Sequence, residues 1–289
     1  KINDFFILGS DASGEIIDKG SNIENYNIGD KVVIQPGIFD KKSKFYNTRK
    51  SHYCPSYGII GETVNGVQSE YFSCPIENIY KMPEHLTFQE ASSMPLVFIT
   101  AYEMLIERAQ LSKNERILIY GATSGIGSAA IQVAKDIGCE IFTTVGNNQK
   151  IDFACHLGAD FVINHREPFF YDRLKESLKG KKFDVIFEHI GKATWDSSLK
   201  FLDRGGRLVT CGATTGNIVQ LDLTHLFFKN QSILGSTMGS LKTFNKVMKK
   251  ISDKKYKPVI DKIFNIKDVK LAHDRLEKGL NLGKIILEI

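Results

Sequence analysis

Hydrophobic positions along the chain fall into three successive patterns. Up to about residue 90, short apolar runs are broken by Gly and Pro. Lys31-Val32-Val33-Ile34 follows a Gly29-Asp30 turn, and residues 68–72 and 76–81 predict two more strands, as in an all-β module. Apolar runs and helical periods then alternate. Residues 116–120, 140–145 and 161–164 predict strands, and residues 126–137, 150–157 and 171–178 predict helices. Residues 183–187, 207–210 and 232–234 predict later strands. Strands apolar on both faces, joined by helices, imply a parallel sheet covered on both sides. The last zone predicts a helix over 241–251 and strands over 259–263 and 285–289.

The sharpest motif closes the strand at 116–120. Gly121-Ala122-Thr123-Ser124-Gly125-Ile126-Gly127 stands at a strand end and opens a helix, the context that gives a glycine-rich string meaning. Glycines allow a tight turn and a close approach of backbone to a pyrophosphate, whose charge the helix N-terminus stabilises. The spacing is Gly-x-x-x-Gly-x-Gly, so the context carries as much weight as the string. An NAD site places Asp or Glu at the end of the next strand. Here that point reads Val145-Gly146-Asn147-Asn148-Gln149-Lys150. A small residue, amides and a lysine instead suit a 2′-phosphate, and His165 and Arg166 stand where they can join that pocket. NADPH is the expected cofactor, ahead of NADH.

Composition narrows the class without naming it. The 289 residues are 42% hydrophobic, enough for a core without metals or disulfides, and the +5 net charge is spread thinly. Neither a nucleic-acid nor a membrane partner is indicated. The lysines at 249, 250, 254, 255 and 257 read as a solvated helix end. Five dispersed cysteines form no CxxC and point to a reducing, cytoplasmic compartment. The chain opens on Lys1-Ile2-Asn3 with no initiator Met.

In order along the chain, several further motifs accompany the loop. They are Ile7-Leu8-Gly9-Ser10-Asp11-Ala12-Ser13-Gly14, Gly29-Asp30-Lys31-Val32, and the stretch from Pro95 that ends in Thr100-Ala101-Tyr102. Leu157-Gly158-Ala159-Asp160, Gly205-Gly206-Arg207, Gly235-Ser236 and Gly283-Lys284-Ile285-Ile286-Leu287 complete the series. Together they resemble the medium-chain dehydrogenase/reductase superfamily, nearest its alcohol dehydrogenase and quinone oxidoreductase branches. The resemblance implies an α/β fold: a Rossmann doubly wound parallel sheet over 95–256 and a GroES-like β-barrel substrate domain over 1–94 and 257–289. Members carry a further part of the barrel before the Ile7 motif, so the chain is expected to begin late, and one family zinc-ligand cysteine falls in that part. Carried over by resemblance, Ser124, Gly125 and Ile126 meet the pyrophosphate, and Gly146, Asn147, Lys150 and His165 surround the adenosine ribose. Thr100, His189, Gly191, Cys211, Gly212 and Ala213 lie near the nicotinamide, and Lys284 approaches the pyrophosphate. The Gln231 strand lies where relatives dimerise, so a homodimer is expected.

The chain departs from the zinc branch at the ligand positions. Zinc members have Gly-His-Glu where this chain has Gly9-Ser10-Asp11, and a cysteine close to Leu96. Serine is a poor ligand, leucine none, and one carboxylate makes no site. Of the four cysteines of the structural zinc loop, only Cys54 stands in residues 37–54. No zinc is expected. Tyr171 and Lys175 form the Tyr-x-x-x-Lys of short-chain dehydrogenases, but on the wrong helix, and read as surface. Trp195 and Phe169-Phe170-Tyr171 read as packing. His189 stands open between a hydrogen-bonded structural role and proton transfer, and Ser10 between a catalytic hydrogen-bond donor and a locally satisfied loop residue. Thr100 is a second catalytic candidate. The function expected is NAD(P)H-dependent hydride transfer to a small quinone or α,β-unsaturated carbonyl. The alternatives are an alcohol dehydrogenase and a non-catalytic NADPH-binding redox sensor or structural protein.

Overall fold

A computed structural model describes residues 5–289; Lys1, Ile2 and Asn3, on which the sequence opens, lie outside the described residues. The chain divides into two compact units, residues 1–99 with 238–289, and residues 100–237.

The first unit begins with short elements: β1 (Ser13–Glu15), β2 (Lys31–Ile34), β3 (Gly37–Ile38), β4 (Gly58–Ile59), β5 (Ile79–Lys81), α1 (Phe88–Ser92) and α2 (Pro95–Tyr102), which runs across the division. β1, β2 and β5 form an antiparallel sheet in that order. Val33, with no exposed surface, pairs with Ser13 on one side and Tyr80 on the other. The expected strand at 68–72 does not form. Gly66, Val67 and Gln68 donate their N–H groups to the carbonyls of Ile7, Gly9 and Leu8, and the Ser69 N–H folds back onto Val67. A loop contact thus takes the donors a ladder needs. Residues 76–78 form a 3₁₀ turn ahead of β5, because buried Asn78 turns its side-chain amide onto the carbonyls of Gln35 and Gly37 at 2.6 and 2.7 Å.

The second unit follows the alternation read from the sequence. Its elements are β6 (Arg116–Ile119), α3 (Gly125–Ile137), β7 (Glu140–Val145), α4 (Ile151–Leu157), β8 (Phe161–Asn164), α5 (Phe170–Ser177), β9 (Phe183–Glu188), α6 (Trp195–Phe201), β10 (Leu202–Thr210), α7 (Leu223–Phe228) and β11 (Ser232–Gly235). The strands are parallel in the order β11-β10-β9-β6-β7-β8. This is a Rossmann-like doubly wound sheet, and the order reverses beside β6, where open α/β sheets bind ligands at strand carboxyl ends. Ile117, Leu118 and Ile119 have no exposed surface, so the apolar run of β6 is buried on both faces. Trp195 and Phe170 join Leu118, Phe142 and Ile186 in the core, and their packing role is what their burial favours. Tyr171 is 38% exposed and stacks on Phe201 on the outer side of α5.

The chain then returns through α8 (Leu241–Ser252), β12 (Ile260–Asn265), α9 (Val269–Glu277) and β13 (Lys284–Glu288), with β12 and β13 parallel. Contacts group α8 with the first unit, ahead of the return expected at residue 257. The Leu241 N–H donates to Ser51 Oγ at 3.1 Å, and Phe244 sets its ring edge-on to Tyr80. No helix among the described residues is long and apolar enough to cross a membrane.

Candidate cofactor and substrate site

The phosphate loop is closed by its own side chains. Gly121 has φ +68°, and a β-carbon on Gly127 would lie 2.1 Å from the Gly121 carbonyl oxygen, so both positions require glycine. Ser124 caps α3: its Oγ accepts from the Gly127 N–H at 2.9 Å and donates to the Gly121 carbonyl at 2.9 Å. Its own N–H also goes to Gly121. Ser124 therefore shapes the loop, while the N–H groups of Gly125 and Ile126 have no partner among the described residues. Those two amides stand at the N-terminus of a thirteen-residue helix, a position that favours an anion.

Beyond β7 the structure brings the expected ribose-side residues together. Lys150 Nζ donates to Thr123 Oγ1 of the phosphate loop at 3.2 Å. A β-carbon on Gly146 would lie 3.6 Å from His165 Cε1 and 3.7 Å from Arg166 Nε. Asn147 is exposed beside them. Burial, and then the charges of Arg166 and Lys150, hold the His165 imidazole below its ordinary pKa. Arg166 and an uncharged ring thus flank Gly146, Lys150 stands on the phosphate loop, and no carboxylate lies at the end of β7. The cradle and its charge fit the 2′-phosphate end of NADP(H).

Of the expected nicotinamide-side residues, His189, Gly191, Cys211, Gly212 and Ala213 come together after β9 and β10, while Thr100 lies in α2. His189 Nε2 lies 2.9 Å from the Tyr120 carbonyl. A carbonyl only accepts, so Nε2 carries the proton and Nδ1 of the neutral ring is an acceptor. Burial lowers the His189 pKa, so at neutral pH the ring has no proton to give from Nδ1. The hydrogen-bonded structural role is the one this geometry favours. A β-carbon on Gly212 would lie 2.9 Å from the His189 carbonyl oxygen. Gly191, at φ +90°, sits where a β-carbon would lie 3.0 Å from Ala213 Cα. Burial, with the Glu188 charge behind it, pushes the Cys211 thiol up to about 12, so it stays an uncharged wall. Thr100 is buried at the start of this unit.

Within the first unit, Ser10, Asp11, Leu96 and Lys284 line one open cavity of about 1540 Å³. The Lys284 ammonium pairs with Asp11 Oδ2 at 2.8 Å, across 273 positions of sequence. Asp11 Oδ1 accepts the Leu96 N–H at 2.8 Å. The carboxylate is buried and both its oxygens are engaged. With Ser10 and Leu96 at the other ligand positions, the described residues do not fit a catalytic zinc. Ser10 is half-buried and its hydroxyl has no partner among the described residues. Thr123, a hydroxyl inside the phosphate loop, and Glu188, a carboxylate at the end of an apolar strand, also belong to the site and carry no local mark in the sequence.

Two protein families match the chain. Residues 2–84 match the alcohol dehydrogenase GroES-like domain, and residues 125–253 match the zinc-binding dehydrogenases. A crotonyl-CoA carboxylase/reductase of Cereibacter sphaeroides is 28% identical over 95% of this chain and 70% of its own length. A human quinone oxidoreductase is 27% identical over 96% and 78%. The crystal structure of an NAD-dependent alcohol dehydrogenase superposes with a TM-score of 0.93 at 32% identity, covering 98% of this chain and 83% of that one.

Proposed function

The chain belongs to the medium-chain dehydrogenase/reductase superfamily, and from that premise we propose an oxidoreductase that uses NADPH in preference to NADH and reduces a small quinone or α,β-unsaturated carbonyl without zinc. The observation that carries the reading is the pairing of His165 and Arg166 against Gly146 with Lys150 on Thr123 of the phosphate loop, and no carboxylate at the end of β7. The unit of residues 100–237 is assigned the cofactor, and the other unit the substrate.

Bound NADPH supplies a hydride. The chain's part is to hold the pyrophosphate at the amides of Gly125 and Ile126, and the 2′-phosphate among the three basic groups. The turns carrying His189, Gly191, Gly212 and Ala213 hold the nicotinamide. A conjugated acceptor receives hydride at carbon, and the negative charge spreads to an oxygen that needs only hydrogen-bond donors and a proton. The Ser10 hydroxyl, with no partner among the described residues, is assigned to that oxygen, with Thr100 as the second candidate. A simple carbonyl concentrates its charge on one alcoholate oxygen, which calls for a Lewis acid that Ser10, Asp11 and Leu96 are not built to hold.

Cofactor choice is tested by calorimetric titration with both dinucleotides in buffers of different ionisation heat. His165 is held below its ordinary pKa, and a phosphate dianion beside it restores the protonated form. NADPH binding is therefore expected to take up protons at about pH 7, where the free 2′-phosphate is already mostly the dianion, and NADH binding to take up none. Equal affinity for the two, or the same proton uptake with both, would contradict the assignment.

Two further readings complete the proposal. β11 is the outer strand of its sheet, next to exposed Leu223, Phe227 and Phe228. An open edge with apolar neighbours supports a homodimer, which sedimentation equilibrium tests. The five cysteines are all free thiols, which supports a cytoplasmic setting.

A further inference from the structure

Glu188 ends β9 with no exposed surface. Burying a carboxylate costs several kcal/mol unless donors surround it, and here four do. Oε1 accepts the N–H groups of Ile190 and Gly191 at 2.5 and 3.0 Å. Oε2 accepts the Thr194 hydroxyl at 2.8 Å, and the Ser198 hydroxyl, 3.2 Å away, shares its proton with the Thr194 carbonyl at 2.9 Å. The carboxylate therefore folds residues 189–191 back over its own side chain.

That turn is interlocked with the one after β10. The Thr215 N–H donates to the Ile190 carbonyl at 2.7 Å, and the Thr214 hydroxyl to the His189 carbonyl at 3.2 Å. A second link reaches the phosphate loop. The Tyr120 hydroxyl is 3.0 Å from Ser198 Oγ, and the Tyr120 carbonyl accepts from His189. Burial raises the Tyr120 phenol well above its ordinary pKa, so it remains a donor. Tyr120 directly precedes Gly121, so one residue touches the Glu188 network at both its carbonyl and its hydroxyl.

We propose that Glu188 is a positioning residue for the nicotinamide end of the cofactor: its carboxylate sets the 189–191 turn, and the Tyr120–Ser198 bridge holds that turn at a fixed distance from the phosphate loop. The inference rests on the dinucleotide reading above. Glu188 touches no cofactor atom itself. It acts through Gly191 and His189, whose backbone has no freedom to compensate, since Gly191 is already in the left-handed region against Ala213 and Gly216.

Glu188→Gln tests this, because glutamine keeps the shape and one acceptor but places an NH₂ where Thr194 and Ser198 now donate. The measurement is the dissociation constant of NADPH beside that of adenosine 2′,5′-bisphosphate, which carries the adenosine end and no nicotinamide. NADPH is expected to weaken by about tenfold or more while the bisphosphate stays within about twofold. Thr194→Val, which removes one donor and leaves Glu188 in place, is expected to give the same split at about threefold, and it decides the matter if the glutamine variant does not fold. Unchanged binding of both ligands, or an equal loss for both, would overturn the positioning role. A wild-type protein that binds neither ligand would remove the dinucleotide reading itself, an outcome distinct from loss of the split.

Discussion

Gly127→Ala is expected to abolish cofactor binding. Its β-carbon would stand 2.1 Å from the Gly121 carbonyl oxygen and 2.9 Å from Ser124 Oγ. The first is backbone and cannot rotate away. The second is the cap that accepts the Gly127 N–H, so relief of one contact disrupts the other. The first turn of α3 must move outward, taking the amides of Gly125 and Ile126 out of register. Forcing an extra carbon into such a site costs about 3 kcal/mol or more, and NADPH affinity should fall by about a hundredfold or beyond. Urea unfolding and NADPH titration measure the two effects. Near-native affinity in the variant would mean that the 121–127 turn is a packing device with no part in binding.

Lys150→Ala carries the second large effect, and its value lies in its selectivity. A charge-assisted bond to phosphate contributes about 1.5–3 kcal/mol, which corresponds to a loss of roughly ten- to a hundredfold in NADPH affinity. NADH has no 2′-phosphate and should bind the variant about as well as it binds the wild type. Lys150 also donates to Thr123, so a different outcome is informative. An equal loss for both dinucleotides would assign the lysine to supporting the phosphate loop, and the 2′-phosphate role would fall. The selectivity is a demanding claim, because the alcohol dehydrogenase that superposes at 32% identity is NAD-dependent.

What could be read from the sequence follows from how each feature is encoded. The strands β6, β7 and β8 and the helix α3 were visible because their signals are local: buried-strand apolar runs, an N-cap serine and a Gly138 that ends the helix at φ +89°. The helix α2 was not assigned. Pro95-Leu96-Val97-Phe98-Ile99-Thr100-Ala101-Tyr102 is apolar on nearly every side and has no stripe to reveal its period. α1, α6 and α7 span only five to seven residues and were not assigned either; α4, also of seven, was legible from its place between two apolar strand runs. Residues 68–72 have strand-like composition, but what they do is set by hydrogen bonds to residues 7–9, which no local pattern shows.

The candidate site divides the same way. Gly121 to Gly127, Gly146 and Lys150 stand close in sequence and could be grouped from it. Pairing Lys284 with Asp11 needs contact information over the whole chain. So does the burial of Glu188, which is unusual for a carboxylate and depends on hydroxyls six and ten positions away.

Reduction without zinc is tested most directly by turnover of the purified protein in excess chelator. NADPH would be followed with a small enone or a quinone as acceptor, beside NADP with a simple primary alcohol. The expected result is loss of nicotinamide absorbance with the conjugated acceptors, unaffected by chelator, and little or no reaction with the alcohol. Alcohol oxidation that persists in chelator while enones and quinones remain untouched, or activity that appears only when zinc is added, would contradict it.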